Sequence, residues 1–450
     1  MPFLAALVYW WRVSRRDIHP SLKRRYAGGA VVWTFSAVLV ELWVKHRPQG
    51  VPVARFGSEV VAVMSVWLMS CSLVLATRSR RLEPWFGGLD RMYIWHRRTA
   101  TVGALLIPLH LALLAVRPGR SQAGGAPPTS ALGNALGALA LLGLLVLVLL
   151  AYAPRLRTLA RVLAYQRWFV AHRFIGIFVL VATVHGLLVD PILRDNGGLM
   201  ALYVTVGALG TVAYLQRELI APWRRTDSPY LVAGVDRLDD STLDVRLTPV
   251  GEPLSFGAGQ FVFISFGGVG GWQSHPFTVA SAPSDPILRL SIRTLGDHTA
   301  ELHRDLSPGT PARLSGPHGM FDHELGGPKQ IWIAAGIGIT PFLSWLRDSP
   351  QHADHEVHLY HAVPTRDDGH FTPELTEAAK HRDWLTFAPV HSDVDGRLTV
   401  ERIVDDCGGT VTGFDVFMCG PAAMTESFRD EFRKRGLGPD AIHFEHFNFR

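Results

Sequence analysis

The strongest constraint on the fold of this 450-residue chain is the distribution of its apolar residues. Between residues 28 and 217, six apolar segments are long enough, or nearly so, to cross about 30 Å of hydrocarbon. Because lipid offers no partners to backbone polar groups, each segment predicts a helix that satisfies its own hydrogen bonds. The predicted spans are residues 28–45, 57–77, 93–116, 131–152, 168–190 and 199–217.

The rest of the chain has the composition of a soluble protein, with frequent charged residues, Gly and Pro. Short β-type runs such as TLDVRL and FVFISF are typical of a small antiparallel barrel. From about residue 329, strands alternate with helices, which predicts a parallel α/β unit. We therefore predict a multi-domain chain, with a six-helix transmembrane bundle at 28–217, an antiparallel β-barrel at 228–325 and a Rossmann-like α/β domain at 326–450.

Basic residues predict the orientation of the bundle. The net charge is +5, and Arg and Lys concentrate in the N-terminal arm, in the second-to-third and fourth-to-fifth loops, and after the sixth span. The positive-inside rule then places both termini and the soluble half in the cytoplasm, as expected for an integral protein of the plasma membrane. The arm, residues 1–27, has its apolar run before its charges, the reverse of a signal peptide, and is predicted to be cytoplasmic or interfacial.

Composition also argues against several classes of function. The positive charge lies in short loops and forms no basic helix or aromatic-interleaved patch, so we expect no nucleic-acid partner. The three cysteines, Cys71, Cys407 and Cys419, include no CxxC pair. They are too few for a disulfide framework or for a Cys-ligated iron–sulfur cluster.

Four histidines lie inside two of the predicted spans: His96 and His110 in the third, His172 and His185 in the fifth. Steps of 14 and 13 residues correspond to about 21 Å and 20 Å along a helix axis. Because both helices run from inside to outside, His96 is expected to face His172, and His110 to face His185. Two imidazoles at one height can hold a six-coordinate haem, so the pairs predict two stacked haems across the bilayer.

The histidines also allow two alternatives, which are core histidines bonded to neighbouring helices and a proton relay in a transporter. The unequal spacing of the histidines on the two helices leads to a further prediction. At 100° per residue, a step of 14 residues returns to within about 40° of the same face, whereas 13 residues miss it by about 140°. A straight fifth helix would not aim both histidines at the bundle centre, so we predict a local distortion near Gly176.

Five short motifs follow one another in the soluble half. In LSIRTLGDHTAEL, Asp297 or Thr299 is the predicted N-cap of a helix whose N-terminus, beside Arg293, suits a pyrophosphate. In AAGIGITPF, glycines between a strand and a helix let backbone amides approach a dinucleotide phosphate. The motifs are SHPFTVAS (274–281), LSIRTLGDHTAEL (290–302), LSGPHG (314–319), AAGIGITPF (334–342) and FMCGPAAM (417–424).

The elements HPFT, IRxxGDxT, GPxG, AGIGITPF and CGP, in this order, resemble the ferredoxin–NADP reductase-type module. More narrowly, they resemble the version that is fused to a ferric reductase- or NADPH oxidase-like membrane domain, and the histidine spacings of 14 and 13 are similar to those of that family's haem ligands. The resemblance covers about residues 28–450. It implies a transmembrane flavocytochrome b whose cofactors are FAD, two b-type haems, and NADPH or NADH.

The resemblance also implies roles for the residues that match the family's motifs. Near the reacting rings it places Thr278 at the isoalloxazine, Cys419 at the nicotinamide, and on the flavin an aromatic ring, Phe449 in preference to Phe447. Arg366, after the strand VHLYHAV, either meets the 2′-phosphate of NADPH or is an ordinary loop arginine. The other implied contacts are His275, Pro276, Phe277 and Ser281 with the flavin, Arg293 and Thr299 with its pyrophosphate, Gly336, Gly338, Thr340 and Pro341 with the nucleotide phosphates, and Gly420 and Pro421 near the nicotinamide.

These cofactors are chemically coherent, because a flavin converts a two-electron hydride into the single electrons that haem carries. The predicted electron path runs from NAD(P)H to FAD, to the haem at His96 and His172, to the haem at His110 and His185, and to an extracytoplasmic acceptor. Ferric iron, molecular oxygen and an extracytoplasmic redox partner remain alternatives for the acceptor. No obligatory protein partner can be inferred, and a transporter with a regulatory nucleotide-binding domain is the alternative from another class.

Overall fold

The fold is known from a computed structural model that describes residues 26–116, 131–152, 165–221, 227–348 and 355–445. The chain divides at Arg225 into two compact units, the N-terminal unit and the C-terminal unit. The predicted interfacial arm lies almost wholly outside the described residues, and so do Phe447 and Phe449.

Among the described residues, six helical stretches of the N-terminal unit are long and apolar enough to cross a membrane, which confirms the six predicted spans. The second and third begin four residues before the predicted limits, because their first turns carry polar residues that a hydropathy pattern excludes. The helices are α1 (Ala27–Lys45), α2 (Val53–Leu75), the short α3 (Glu83–Phe86), α4 (Leu89–Ala115), α5 (Ala131–Tyr152), α6 (Tyr165–Arg173), α7 (Ile175–Val189), the short α8 (Pro191–Asp195) and α9 (Gly197–Leu215), which continues as a π-helical turn (Gln216–Ile220).

The fifth span is broken near Gly176, as its histidine spacing predicted, and the break lies at Phe174. The N–H of Phe174 donates to the carbonyl of Ala171, and the N–H of Ile177 donates to the carbonyl of Phe174, both across three residues. A turn of three residues advances about 120° per residue instead of 100°, which rotates the following helix back toward the face of His172. Gly176 has another role, since a Cβ there would lie 2.2 Å from the Tyr214 ring.

The C-terminal unit begins with an antiparallel sheet whose strand order, among the described residues, is β4-β3-β6-β1-β2-β5. A bridge between Val279 and Leu290 connects its two edges, so the sheet is a nearly closed barrel. Its interior is apolar, with Val245, Ile264 and Leu314 fully buried. The strands are β1 (Ser228–Arg237), β2 (Thr242–Pro249), β3 (Phe261–Phe266), β4 (His275–Thr278), β5 (Leu288–Arg293) and β6 (Pro311–His318), with α10 (Asp297–Asp305) between β5 and β6.

A parallel sheet of order β11-β10-β7-β8-β9 follows, and with the barrel it confirms the predicted architecture. Strand order reverses between β7 and β10, and in open α/β sheets ligands bind at the carboxyl ends of strands at such a switch point. The elements are β7 (Lys329–Ala335), α11 (Thr340–Asp348), β8 (Glu356–Val363), α12 (Thr372–Lys380), β9 (Leu385–His391), α13 (Val400–Asp406), β10 (Asp415–Cys419), α14 (Ala422–Lys434) and β11 (Ile442–Phe444).

Helix α11 joins the two domains of the C-terminal unit. The Ser344 hydroxyl donates to the Ser281 carbonyl at 2.8 Å and accepts from the Gly259 N–H at 3.3 Å. The Trp345 indole donates to the Ala258 carbonyl at 3.2 Å, and Arg347 Nη1 donates to the Ala280 carbonyl at 2.7 Å. Three carbonyl groups on the barrel side are thus satisfied by one helix, which fixes the barrel against the α/β domain.

We expect Ser344→Ala to lower the free energy of unfolding of the C-terminal unit by about 1–3 kcal/mol, because it leaves a buried carbonyl and a buried N–H without their partner. Thermal unfolding of the full chain in detergent measures the change. Thr376→Ala is the control, since its hydroxyl donates only within exposed helix α12. Equal stability of the two variants would contradict the role given to Ser344.

Candidate functional sites

The first site is in the N-terminal unit, where the third and fifth spans bring the membrane histidines together. The rings of His96 and His172 have centroids 6.2 Å apart and planes 78° apart. His110 and His185 lie close enough for the charges on their rings to interact. The structure therefore groups the four histidines as the two pairs that the sequence predicted.

Three of these rings have Nδ1 at a hydrogen-bond acceptor. Nδ1 of His96 lies 2.9 Å from the Ser72 carbonyl oxygen, Nδ1 of His110 lies 2.9 Å from the Ser58 carbonyl oxygen, and Nδ1 of His185 lies 2.7 Å from the Gly133 carbonyl oxygen. A carbonyl only accepts, so Nδ1 carries the proton in each case and Nε2 keeps its lone pair. That is the form in which histidine ligates a metal.

The pair of His96 and His172 also has the dimensions of two ligands on one metal ion. Two metal–nitrogen bonds of about 2 Å, with about 1.1 Å more from each nitrogen to its ring centre, span about 6.2 Å. His185 lies against the fourth span, where a Cβ on Gly137 would come within 2.6 Å of its ring. The donor set and its surroundings therefore fit a haem iron held between two imidazoles.

His172 differs from the other three. Its Nδ1 is buried and has no hydrogen-bond partner within the described ranges. The ring stacks on Trp168, with centroids 5.2 Å apart and planes 19° apart. Packing therefore orients this imidazole, whereas hydrogen bonds orient the others. Arg173, directly after His172, forms an ion pair with Glu218.

The second site is in the C-terminal unit, at edge strand β4, which contains HPFT. Its register on β3 pairs His275 with Ile264 and Thr278 with Phe261. Thr278 is buried at the end of this strand. Ser281 is fully buried, and its hydroxyl accepts from the Arg289 N–H at 3.1 Å. Thus the residues predicted to line the flavin follow one strand edge, with Ser281 engaged in the barrel itself.

His298 has no predicted role in the site, and the structure places it against this strand. Its ring stacks on His275, with centroids 3.8 Å apart and planes 16° apart. Within the part of the chain that the structure describes, neither nitrogen of His298 has a hydrogen-bond partner, and burial lowers the pKa of the ring. HPFT is therefore fixed to the start of α10, which the sequence pattern could not show.

The start of α10 corrects one prediction. The N-cap is Gly296, not Asp297 or Thr299. Thr299 lies one turn inside, where its hydroxyl oxygen accepts from the N–H groups of Leu295 and Gly296 at 2.9 Å and 3.1 Å. As in a capping box, the side chain at the third helical position satisfies the backbone N–H of the N-cap residue. The N-cap itself can then be a glycine, which has no side chain to donate or accept.

The glycine-rich turn lies at the switch point of the parallel sheet. Gly336 has φ +53°, and a Cβ there would lie 3.0 Å from Nη1 of Arg293. A Cβ on Gly338 would lie 2.3 Å from the carbonyl oxygen of Cys419. The AGIGITPF and CGP motifs therefore pack backbone against backbone. Arg293 lies beside the same turn, so the residues predicted for both nucleotides are brought together.

The remaining predicted residues surround this turn. Thr340 and Pro341 are buried at the start of α11, and Pro421 is the N-cap of α14 directly after Gly420. Cys419 is buried, and burial raises the pKa of its thiol well above the ordinary value, so the group is neutral near pH 7. Arg366 is exposed in the turn that follows β8. The candidate flavin-stacking rings, Phe449 and Phe447, lie outside the described residues.

His361 is a second residue that sequence reasoning missed. It is 1% exposed near the carboxyl end of β8, and its Nε2 donates to the Gly336 carbonyl at 3.0 Å. Burial lowers the pKa of His361 to about 4, and Nδ1 has no partner among the described residues. The neutral imidazole of His361 therefore supports the glycine-rich turn through its hydrogen bond to the Gly336 carbonyl.

Comparison with protein families matches three consecutive segments of the chain. A ferric reductase like transmembrane component matches residues 61–183, an FAD-binding domain matches residues 229–337, and an oxidoreductase NAD-binding domain matches residues 332–430. These segments coincide with the spans, the barrel and the parallel sheet. Together they define an NAD(P)H-dependent flavoprotein oxidoreductase that is an integral membrane protein.

Individual relatives agree with this class. The reductase component of an aromatic O-demethylase from Amycolatopsis sp. is 30% identical over 233 residues, which are 48% of this chain and 69% of that protein. The heavy chain of a superoxide-generating NADPH oxidase from Dictyostelium discoideum is 27% identical over 303 residues, covering 60% of this chain and 56% of that protein. Respiratory burst oxidase homolog protein D from Arabidopsis thaliana is 27% identical over 207 residues, covering 40% of this chain and 22% of that protein.

The similarity to the Dictyostelium oxidase covers more of this chain than residues 228–450 can supply, so it extends into the N-terminal unit. The chain spans about half or less of the two oxidases it matches. The chain belongs to the ferric reductase and NADPH oxidase-like family, in which a ferric reductase-like transmembrane domain is fused to an FAD and NAD(P)H module.

We expect Gly338→Ala to impair NAD(P)H use, because the added methyl group would meet backbone atoms of Cys419 that cannot move independently. Overpacking costs about 1–3 kcal/mol. If the free energy of nucleotide binding falls by that amount, KM for the nucleotide rises roughly 5- to 150-fold. The rate of flavin reduction at varied NADPH measures it. Gly327→Ala is the control, since its Cβ would lie 3.5 Å from Asp415 Oδ2, and matching KM values would contradict the prediction.

We expect His361 to make the C-terminal unit less stable in acid. Because its pKa falls to about 4 on folding, the unfolded chain binds a proton between pH 6.5 and 4 that the folded chain does not. Stability contributed by the neutral ring is therefore present above pH 6.5 and is lost at about 1.4 kcal/mol per pH unit as the pH falls toward 4.

Thermal unfolding of the full chain at about pH 4–7 tests this. His361→Gln, which retains a donor for the Gly336 carbonyl, should have a shallower pH dependence than the parent. Thr376→Ala, which removes no titratable group, should keep the parent's dependence. Identical slopes for the parent and His361→Gln would show that His361 does not titrate as described.

Proposed function

We propose that this protein oxidises NAD(P)H on the cytoplasmic side of the plasma membrane and delivers electrons singly to an extracytoplasmic acceptor, with FAD and two bis-histidine b-type haems as its bound groups. The family supports transmembrane, NAD(P)H-dependent electron transfer. The haems, their ligands, the orientation and the acceptor are the proposed steps beyond it.

The observation that carries the proposal is the pairing of the four membrane histidines. His96 and His172 have the separation of two ligands on one ion, and His110 and His185 form a second pair on the same two spans. In three rings Nδ1 donates to a carbonyl and Nε2 is available. When bound, flavin accepts a two-electron hydride and releases single electrons, and a haem carries one electron at a time.

The residues of the C-terminal unit act by binding and positioning. Gly336 and Gly338 allow the backbone to approach the nucleotide phosphates, and Arg293 contributes positive charge beside them. Thr278 presents its side chain at the end of β4 for the flavin, and the neutral thiol of Cys419 lies at the switch point. Hydride transfer would need only close approach of the nicotinamide carbon that gives up the hydride and the flavin nitrogen that accepts it, so no nucleophile or general base is required.

The basic loops support the proposed orientation, in which both termini and the C-terminal unit are cytoplasmic. Ferric iron or molecular oxygen is the proposed acceptor. One relative named for superoxide production and the ferric reductase-like membrane domain support these two. A haem iron with two histidine ligands has no open position, so the acceptor would take its electron without binding the metal.

The purified protein should show the absorption spectrum of bis-histidine b-type haem and should be reduced by NADPH in the absence of oxygen. His185→Ala should lose about half of the haem and keep the spectrum of the pair at His96 and His172. Haem content and difference spectra measure both. Protein that binds flavin but no haem would overturn the proposal and would favour a relay of protonatable histidines.

The acceptor can be identified with the same preparation in sealed vesicles. NADPH-driven reduction of oxygen to superoxide and of ferric citrate is compared, with NADPH on the face that carries the C-terminal unit. His185→Ala should abolish both, because it removes a ligand of the outer pair. Activity with NADPH supplied only to the opposite face would contradict the proposed orientation.

A further inference from the structure

Three serines of the second span lie seven residues apart, at Ser58, Ser65 and Ser72. All three are buried in the N-terminal unit, and each contacts the third span. Ser58 meets His110, Ser65 meets the carbonyl of Gly103, and Ser72 meets His96. We call these three contacts the serine ladder.

The positions follow a strict antiparallel register. Each step of seven residues toward the C-terminal end of α2 corresponds to a step of seven toward the N-terminal end of α4. Seven residues make about two helical turns and drift by only about 20°, so all three contacts lie on one face of each helix. At the centre the helices approach closely, since a Cβ on Gly103 would lie 3.0 Å from Met69 Cγ.

The outer contacts of the ladder differ in chemistry from the central one. The Ser65 hydroxyl donates to the Gly103 carbonyl at 2.8 Å. This contact joins a side chain to the backbone and involves no histidine. At the ends, Nδ1 of each histidine faces two oxygens of one serine. Nδ1 of His110 is 2.7 Å from Ser58 Oγ and 2.9 Å from the Ser58 carbonyl oxygen, and Nδ1 of His96 is 2.8 Å and 2.9 Å from the same atoms of Ser72.

These distances determine which nitrogen carries the proton. The Ser58 hydroxyl donates its hydrogen to the His110 carbonyl at 3.2 Å, so only its lone pairs face Nδ1. With two acceptors in front of it, Nδ1 of His110 must be the donor. At His96 the Ser72 carbonyl imposes the same proton position. Both rings are therefore held with Nε2 unprotonated.

We infer that the Ser58 and Ser72 hydroxyls position His110 and His96 by giving each Nδ1–H a second acceptor beside the backbone carbonyl, and so make both rings more basic ligands, while Ser65 fixes the register of the helices. The inference rests on the proposed function, because it assumes that these histidines ligate haem. A hydrogen bond at the second imidazole nitrogen raises ligand basicity and favours the oxidised metal.

The two ends of the ladder should not be equivalent. The partner of His110 is His185, whose Nδ1 donates to the Gly133 carbonyl. The partner of His96 is His172, whose Nδ1 has no partner among the residues described here. In the pair of His96 and His172, only the His96 ring has a hydrogen bond at Nδ1, and Ser72 contributes to it. The loss of the Ser72 hydroxyl should therefore have a larger effect than the loss of the Ser58 hydroxyl.

The test uses the full-length protein reconstituted with haem. Ser72→Ala should raise the midpoint potential of one haem and weaken haem binding by about tenfold, which is the usual cost of losing an outer-shell partner. Ser58→Ala should raise the potential of the other haem by less. Ser65→Ala is the matched control, because it removes a hydrogen bond between the same two helices without touching a histidine, and should leave both potentials unchanged.

Assignment of the shifts uses His185→Ala, in which only the inner haem is expected. In that background Ser72→Ala should shift the remaining potential and Ser58→Ala should not. Ser72→Thr, which keeps a hydroxyl, should restore the parent potential and guards against a variant that folds poorly.

The outcomes separate the two proposals. A parent protein without haem would overturn the proposed function. A parent with two haems whose potentials are the same in Ser58→Ala, Ser72→Ala and Ser65→Ala would overturn the ladder alone. Equal shifts in all three variants would do so as well, since they would mean that helix packing, rather than the histidine contact, sets the potential.

Discussion

An imidazole buried among apolar helices must place both of its ring nitrogens, and this requirement organises the N-terminal unit. An unsatisfied polar group in an apolar surrounding costs about 1–3 kcal/mol by mutational measures, and four histidines multiply that cost. Carbonyl oxygens from the second and fourth spans satisfy Nδ1 in three of them. Nε2 of each of these three rings then remains available to ligate a metal ion shared with the partner histidine. The helix arrangement and the candidate metal sites therefore depend on the same contacts.

The C-terminal unit depends on a different constraint, which is the close approach of two backbone turns. The glycine-rich turn after β7 can lie against the carbonyl of Cys419 only because Gly338 has no side chain. His361 supports the turn from the neighbouring strand. A turn predicted to bind phosphate is thus held in place by His361, which is itself too buried to meet a ligand.

The architecture was predictable because apolar length and motif order are local properties of the sequence. The histidine pairs were predictable for the same reason, since spacing fixes height on a helix. Other features depend on contacts between distant segments. The stack of His275 on His298 and the contact of His361 with Gly336 arise from tertiary packing and leave no pattern in the sequence. The histidine spacing predicted a break in the fifth span but did not determine that it lies at Phe174. The seven-residue spacing of the serines can be read from the sequence. Only the packing of the second span against the third shows that this spacing aligns Ser58 and Ser72 with the histidines.

Helix α11 has a consequence for how the protein could change through evolution. It begins within the turn proposed to receive the hydride donor, and through Ser344 it holds the carbonyl of Ser281, which follows Thr278 on the flavin side. The position of the donor and the position of the acceptor ring are therefore set by one rigid element instead of two. A substitution that shifts the start of this helix would therefore also shift the flavin edge, so the two positions can change only together.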